Sequence, residues 1–388
     1  MTYKPLFSRA LAADPDRLHF AAHSHHLWPD ASFEGQMRAW TDANANADRK
    51  WDLIFSEVVP EAQGHVAREL NLPSTDSLVF SSNTHDFLIR IVSGFERKPV
   101  RILASDGEFH SFRRQAARWE EAGQVIIERV PLEPFDTFAD RFVDAARRGG
   151  HDLIWVSQVF FRTGQMFDRV VDLAALADPK GPWVVIDGYH GFMATPTDLG
   201  AVADRVFYLA GGYNYAMAGE GACFLHLPPG FCERPKLTGW FAEFGDLKAP
   251  PGGVGYTTDG GRMWGATFDV SGLYRFNAAR RMLDEQGLTT ADVAAYTRGL
   301  IATFAAMAGD GGAGALSDAV LMNPVEGEAA RARFLAFRHP HAQAWQKALE
   351  ARNVITDVRD DVIRFGFALY HDEADVERLA GACRSELA

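Results

Sequence analysis

The sequence predicts an α/β protein: a large three-layer α/β/α domain around a mostly parallel sheet, followed by a smaller α+β C-terminal domain. Two observations predict this fold class. Short apolar runs alternate with amphipathic stretches from about residue 78 to residue 186, as is typical of parallel sheets covered by helices on both faces. After about residue 270 this alternation is replaced by longer helical stretches and a few short strands.

The predicted strands of the large domain are brief and apolar, and helices separate them. The strands cover 78–80, 101–104, 125–127, 153–156 and 183–186, and the helices cover 84–94, 110–122 and 138–147. Ligands of such sheets bind beyond the carboxyl ends of the strands. We therefore expect the functional site where polar motifs follow these strands.

This pattern predicts that the chain is divided into three segments. Residues 1–40 are expected to pack with the small domain, 41–270 to form the large domain, and 271–388 to form the small domain. Within the small domain the sequence predicts helices over 271–286, 291–308 and 342–352, and strands over 334–338 and 362–367.

Composition narrows the class of partner. The chain has 388 residues, 47% of them hydrophobic, and a net charge of -12, which argues against nucleic acid or an anionic membrane as a partner. Its cysteines, Cys223, Cys232 and Cys383, are too few for a disulfide framework and lack metal-ligand spacing. No stretch resembles a signal peptide or a membrane span, so we expect a cytoplasmic protein.

Two polar motifs follow predicted strands and suit a phosphorylated, flat cofactor. Asn83 and Thr84 stand at a strand-to-helix junction, where they either bind an anion such as phosphate or simply cap the helix. Asp187 ends a strongly apolar strand, and its carboxylate could pair with a protonated ring nitrogen; Asp-Gly is also a common turn dipeptide. His190 would then lie beside the ring.

Further motifs suit the two faces of such a ring and the substrate. Phe109 could stack on a flat cofactor or belong to the core, and the polar turn that contains Thr163 could face the ring. Arg364, on a predicted small-domain strand amid apolar residues, suits bidentate capture of a substrate carboxylate. His23 or His25 could reach the substrate from an N-terminal loop, which is a better interpretation than a metal site. Trp264 could form an aromatic wall for the substrate side chain.

The order of these motifs resembles the class V aminotransferase group of fold type I enzymes that depend on pyridoxal 5'-phosphate (PLP), and kynureninases in particular. The similarity covers about residues 18 to 380. It is carried by the N-terminal loop with Ser24, by Glu108-Phe109-His110-Ser111, by Phe161-Arg162-Thr163-Gly164, by Asp187 to His190, and by Val362-Ile363-Arg364-Phe365-Gly366 with Leu369-Tyr370.

The resemblance implies roles for individual residues. Asn83, Thr84 and Tyr213 would hold the phosphate of PLP, and Phe109 would stack on its ring. Asp187 would pair with the pyridine nitrogen, with His190 beside the ring. Ser24, His23, Arg364 and Trp264 would contact an α-amino acid substrate. It also implies a homodimer with active sites between subunits, and either transamination or Cβ–Cγ cleavage as the reaction.

The sequence departs from the family at two positions. Phe112 replaces an aspartate of kynureninases, which weakens the case for kynurenine as the substrate. Asn214, in the turn Gly212-Tyr213-Asn214-Tyr215, replaces the lysine that holds PLP as a Schiff base. An amide is not basic, so Asn214 can neither form the Schiff base nor shuttle protons.

Three explanations of Asn214 stay open from the sequence. It could be an inactivating substitution introduced into a PLP-dependent enzyme. It could belong to a natural lysine-free enzyme that uses His190 as the base. It could also belong to a non-catalytic protein that binds PLP or an amino acid. In all three the cofactor pocket is retained.

Overall fold

A computed structural model describes residues 2–243, 253–323 and 331–387. The strands are β1 (Leu18–His19), β2 (Leu78–Ser81), β3 (Val100–Ser105), β4 (Val125–Val130), β5 (Leu153–Ser157), β6 (Trp183–Asp187), β7 (Val206–Gly211), β8 (Cys223–His226), β9 (Val320–Leu321), β10 (Phe334–Arg338), β11 (Val354–Ile355), β12 (Asp357–Arg359) and β13 (Val362–Gly366). The α-helices are α1 (Ser8–Ala12), α2 (Asp30–Asn46), α3 (Lys50–Leu53), α4 (Val59–Glu69), α5 (Thr84–Ser93), α6 (His110–Glu121), α7 (Phe138–Arg148), α8 (Val170–Ala174), α9 (Ser271–Glu285), α10 (Thr290–Gly309), α11 (Ala342–Glu350) and α12 (Glu373–Glu386).

The large domain is built on a seven-stranded sheet in the order β2-β8-β7-β6-β5-β3-β4. Its pairings are parallel except those of β8, which runs antiparallel to β2 and β7. The inner strands are largely apolar because both faces are covered: every residue of β5 and of β7 is buried. The fold class predicted from the sequence is confirmed.

The covering helices are amphipathic, which is why the sequence predicted them. In α7 the side chains of Phe138, Phe142, Val143, Ala145 and Ala146 are buried, and their spacing places them along one face of the helix. The basic and acidic residues of the same helix point to solvent, so the helix covers the sheet with a single apolar stripe.

The small domain has an antiparallel sheet in the order β12-β13-β10-β9. Helices α10 and α12 each begin with a reciprocal capping box, formed by Thr289 with Asp292 and by Asp372 with Asp375. The N-terminal segment joins this domain, since β1 pairs in parallel with β11 and Ala21 bridges to Gly366. This pairing brings the loop with His23 and Ser24 next to the strand of Arg364.

The helix α9 packs with the large domain. Its side chains Leu273, Phe276, Ala279 and Leu283 pack in the same apolar cluster as the large sheet, whereas a second cluster, in the small domain, includes Leu300 and Phe304 of α10. The helix therefore supports the large domain, although the domain boundary predicted at residue 270 precedes it.

Candidate active site

Six strands of the large sheet end at one edge, and the predicted motifs follow five of them, all except β4. Four of these strands, β3, β5, β6 and β7, are parallel neighbours or near neighbours, and β2 runs in the same direction beyond β8. The carboxyl ends of these strands therefore meet at the same edge, where the loops form the site. The strand-end residues are Ser81, Ser105, Ser157, Asp187 and Gly211.

Asp187 is the acid at the centre of this edge. Its Oδ1 accepts a hydrogen bond from the backbone N–H of Tyr189 at 3.1 Å, and its Oδ2 has no hydrogen-bond partner among the residues that the structure describes. Burial raises the pKa of Asp187 to about 6, because a carboxylate loses hydration there without gaining a cation. A cationic ligand would restore the usual ionisation of this group.

Asn214 lies beside His190 rather than in solvent. The Asn214 side chain is 2% exposed, and its amide nitrogen lies 3.3 Å from Nδ1 of His190. Burial, followed by the positive charges of Arg364 and Arg359, lowers the pKa of His190 to about 3. His190 is therefore neutral at physiological pH, and its ring accepts the hydrogen bond from the amide.

Tyr213 contacts the N-terminal loop. Its hydroxyl lies 3.2 Å from Nδ1 of His25, and the two rings meet edge to face with centroids 5.3 Å apart. Burial and the charge of Glu220 raise the pKa of Tyr213, so its phenol stays protonated and can donate a hydrogen bond. The sequence offered His25 as an alternative to His23 for contact with the substrate, and only the folded chain shows its pairing with Tyr213.

The helix α5 begins at the same edge. Asn83 caps it: Oδ1 accepts from the backbone N–H of Asp86 at 2.9 Å. The capping role is thus observed, and it does not prevent the first N–H groups of α5 from facing an anion. Thr84, which is half-buried, is the first residue of the helix.

Phe109 presents an exposed ring at the end of β3. It is 41% exposed, and it meets the ring of Phe161 edge to face at 5.3 Å. Thr163 is buried in the turn after β5, where its hydroxyl accepts a hydrogen bond from the backbone N–H of Gln165 at 3.4 Å. Phe112 stacks on Trp155 at 5.0 Å and belongs to the core.

Glu108 is a buried acid that the sequence interpretation did not single out. Its carboxylate accepts hydrogen bonds from the hydroxyls of Ser105 at 2.5 Å and Ser157 at 2.6 Å, and thereby joins the ends of β3 and β5. Burial raises the pKa of Glu108 to about 7, and the charge of Asp187 adds to this rise. The signal in the sequence was an acid directly before the stacking aromatic Phe109.

Arg364 lies in a charged cluster of the small domain. Its guanidinium donates to the carboxylate of Asp357 and to the backbone carbonyl of Phe161. Asp357 also pairs with Arg359 at 2.5 Å, so two guanidinium groups share one carboxylate. The cluster keeps one net positive charge, which suits a carboxylate ligand. The sequence interpretation singled out Arg364 but gave Asp357 no role, and only the fold shows that Asp357 pairs with both arginines.

His23 faces this cluster. It is buried, its Nε2 lies 3.9 Å from Oδ2 of Asp357, and its ring stacks on Phe334 at 4.6 Å. Neither of its ring nitrogens has a hydrogen-bond partner among the described residues, and burial lowers its pKa well below the ordinary value. Ser24, the next residue, is half-buried.

Trp264 lies elsewhere in the same subunit. It is 7% exposed and packs in an aromatic cluster with Phe55, Phe80, Phe241 and Phe268 around β2. The structure therefore brings together the other predicted substrate residues, Ser24, His23 and Arg364, but does not bring Trp264 into ring contact with them. Its role as a substrate residue stays a prediction.

Three features of the described residues concern metal binding, membrane insertion and cysteine chemistry. Within the described ranges, no group of three or more histidine, cysteine or acidic side chains is placed to hold a metal ion. In the same part of the chain, no helix has the length and hydropathy of a membrane span. All three cysteines are buried and unpaired.

Comparisons with known proteins agree with the motifs. Residues 311–382 match the family model of the kynureninase C-terminal domain. The kynureninase of Deinococcus radiodurans is 24% identical over 359 residues, which is 88% of this chain and 80% of that protein. The isopenicillin N epimerase of Streptomyces clavuligerus is 29% identical over 161 residues, 39% of each chain.

Solved structures share the fold over nearly the whole chain. A lysine-to-alanine variant of the protein C-DES, with glycine covalently linked to its PLP cofactor, has a TM-score of 0.78 at 15% identity and covers 97% of this chain and 99% of its own. The cysteine desulfurase CsdA of Escherichia coli has a TM-score of 0.76 at 17% identity and covers 98% and 97%. The predicted resemblance is therefore confirmed: the chain is similar to kynureninase in sequence, and it shares its fold with the PLP-binding protein C-DES and with the cysteine desulfurase CsdA.

Proposed function

We propose that this chain binds PLP at the carboxyl edge of the large sheet and acts on an α-amino acid, as a kynureninase-like enzyme impaired by Asn214. The observation that carries the proposal is Asp187, a half-buried carboxylate with one oxygen open to a cationic ring nitrogen. PLP, when bound, supplies an electron sink for bonds at the substrate Cα. The relatives and the shared fold support the same cofactor.

The residues around Asp187 fit the parts of PLP. The exposed ring of Phe109 offers a stacking surface, and the phenol of Tyr213 and the first N–H groups of α5 offer donors to a phosphate. The C-DES variant has alanine in place of one lysine and still contains PLP, with glycine covalently linked to it, which supports binding of PLP to a chain with Asn214. We therefore expect this chain to hold PLP without a covalent link.

Asn214 limits what the chain can do after binding. Its amide has no basic nitrogen, and the neighbouring His190, with a pKa lowered to about 3, is a weak proton acceptor. Loss of a proton-transfer group costs roughly a hundred- to ten-thousandfold in rate. We expect slow turnover, with substrate held but its Cα proton rarely transferred.

The substrate carboxylate is assigned to the cluster of Arg364, Arg359 and Asp357. The single net positive charge of this cluster would be neutralised by one carboxylate, and His23 is buried beside the cluster. Transamination and Cβ–Cγ cleavage both remain compatible with this placement. The burial of Phe112 in the core gives no polar contact at the position of the kynureninase aspartate, which favours a substrate other than kynurenine.

Restoring the lysine tests the proposal. Wild-type protein titrated with PLP should develop the absorbance of bound cofactor but show no added mass after borohydride reduction and denaturation. Asn214→Lys should gain the mass of one reduced cofactor and turn over amino acids at least a hundredfold faster. Asn214→Gln, the matched control, should behave like wild type. Failure of wild type to bind PLP would refute the cofactor assignment.

The same experiment separates the two alternatives, a lysine-free enzyme and a non-catalytic binder. The contact between Asn214 and His190 keeps the first alternative open. It requires that wild-type protein turn over an amino acid and that His190→Gln abolish this activity. If Asn214→Lys binds PLP covalently yet no amino acid reacts, the chain is a binder.

We also propose that the chain is a homodimer, as the resemblance implies, and that it is cytoplasmic. Phe33, Met37 and Trp40 support the first proposal: they lie along one face of α2 and are 44%, 41% and 62% exposed. Their spacing makes one apolar patch on the surface. Sedimentation equilibrium should give twice the chain mass, and Trp40→Glu should shift it toward the monomer.

A further inference from the structure

A second polar cavity lies on the other side of β10 from the candidate active site. It has a volume of about 190 Å³ and is lined by Thr195, Thr297, Arg298, Arg331 and Arg333, with Pro196, Ala294 and Ile301. Phe334 contacts His23 and His190, whereas the preceding residue, Arg333, lies over the ring of Tyr215. Successive residues of an extended chain point to opposite faces, so this cavity is separate from the substrate cluster.

Arg333 is a buried charge in this cavity. It is 3% exposed, its Nη1 donates to the carbonyl of Met193 at 3.0 Å, and its Nε has no hydrogen-bond partner among the described residues. Among the residues that the structure describes, no carboxylate pairs with Arg333. Burial lowers the pKa of Arg333 to about 10, which still leaves it charged at neutral pH.

Other guanidinium groups add to this charge. Arg298, on α10, is half-exposed and likewise has no ion pair with any described residue. Burial and then the nearby charge of Arg298 lower the pKa of Arg331. Of these groups Arg333 is the buried one, and its charge requires compensation because an uncompensated buried charge is costly.

We propose that this cavity binds a small polyvalent anion, such as phosphate or a dicarboxylate, through Arg298 and Arg333. Guanidinium groups present forked donors that match carboxylate and phosphate oxygens, and the hydroxyl of Thr195 lines the same space. The bound anion neutralises the charge of Arg333. It also lies close to the turn of Asn214, because Tyr215 donates its hydroxyl hydrogen to the backbone carbonyl of Arg333 at 3.0 Å.

Thermal unfolding tests the proposal. The melting temperature of the wild-type chain is measured with sodium phosphate, sodium succinate and sodium chloride at matched ionic strength. We expect phosphate or succinate to raise it above the chloride value, with a dependence on concentration that saturates. A rise with phosphate alone or succinate alone identifies which of the two chemistries the site takes.

Two variants locate the anion. Arg298→Gln, at a half-exposed helix position that tolerates glutamine, should lose most of the rise. Arg118→Gln, on the surface of α6, should keep the rise in melting temperature and is the matched control. Phosphate bound only where the cofactor phosphate binds would raise the melting temperature of both variants. The proposal is overturned if the wild type shows no rise beyond chloride, or if Arg298→Gln retains the full rise.

Discussion

The small domain buries two arginines whose surroundings differ. Arg364 is 2% exposed and pairs with Asp357, and Arg333 is 3% exposed and pairs with no carboxylate among the described residues. Burial lowers the pKa of both to about 10. The two arginines thus differ in how their charge is compensated: Arg364 has its counter-charge within the chain, whereas the proposed anion would compensate Arg333.

The surroundings of Arg364 also affect how a substrate carboxylate would bind. Arg364 is held in place by Asp357 and by the carbonyl of Phe161, so its guanidinium is oriented before any ligand arrives. The remaining positive charge comes from Arg359, which is 35% exposed. A substrate carboxylate would thus meet a fixed donor and a more adaptable one, an arrangement that limits the entropy lost on binding.

The largest expected effect comes from removing the shared counter-charge. Asp357→Asn should lower the free energy of unfolding by about 3–5 kcal/mol, because Arg364 is then left buried without a carboxylate. Urea unfolding measures this. Asp144→Asn is the control: its side chain is 71% exposed and its pair with Arg147 should contribute about 1 kcal/mol or less. Equal losses in the two variants would mean that Asp357 does not compensate Arg364.

Glu108, like Arg333, is a buried ionisable group without an opposite charge paired to it among the described residues. Glu108 bonds only to Ser105 and Ser157 in the described chain, and burial raises its pKa to about 7. The folded state therefore keeps a proton that the unfolded state releases above its ordinary pKa of 4.5, so stability falls as pH rises from about 4.5 to about 7.

Glu108→Gln should remove this part of the pH dependence. Between about pH 5 and about pH 8, the wild type should lose about 2–3 kcal/mol more stability than the variant, as measured by urea unfolding. Glu121→Gln, at a position 71% exposed, should keep the wild-type dependence. A wild-type slope in Glu108→Gln would show that Glu108 is ionised throughout this range.

The smallest effect should come from Arg333. Without added phosphate or dicarboxylate, Arg333→Met should change the free energy of unfolding by less than about 2 kcal/mol, because removal of an uncompensated charge offsets the lost hydrogen bond to Met193. Arg364→Met, measured alongside, should cost about 3–5 kcal/mol, since it strands Asp357. Similar losses of unfolding free energy in the two variants would show that the two arginines do not differ in charge compensation.

Much of the fold could be predicted because its signals are local. Strands such as β5 and β6 are short apolar runs, and α7 has an apolar stripe, so each could be recognised within about ten residues of sequence. The order of the motifs then indicated the family. The position of α9 could not be predicted in this way, because its packing on the large domain depends on residues far away in the chain.

The candidate site could likewise be predicted only in part. The sequence by itself determined which groups follow the strands: the acid at Asp187, the aromatic ring at Phe109, the arginine at Arg364, and an amide instead of an amine at Asn214. Only the tertiary structure decided the partners of these groups. The pairing of Asp357 with Arg364, the burial of Glu108 and the approach of Arg298 to Arg331 join separate elements. The physical reason is that charge compensation and burial act through space, whereas periodicity and motif order act along the chain.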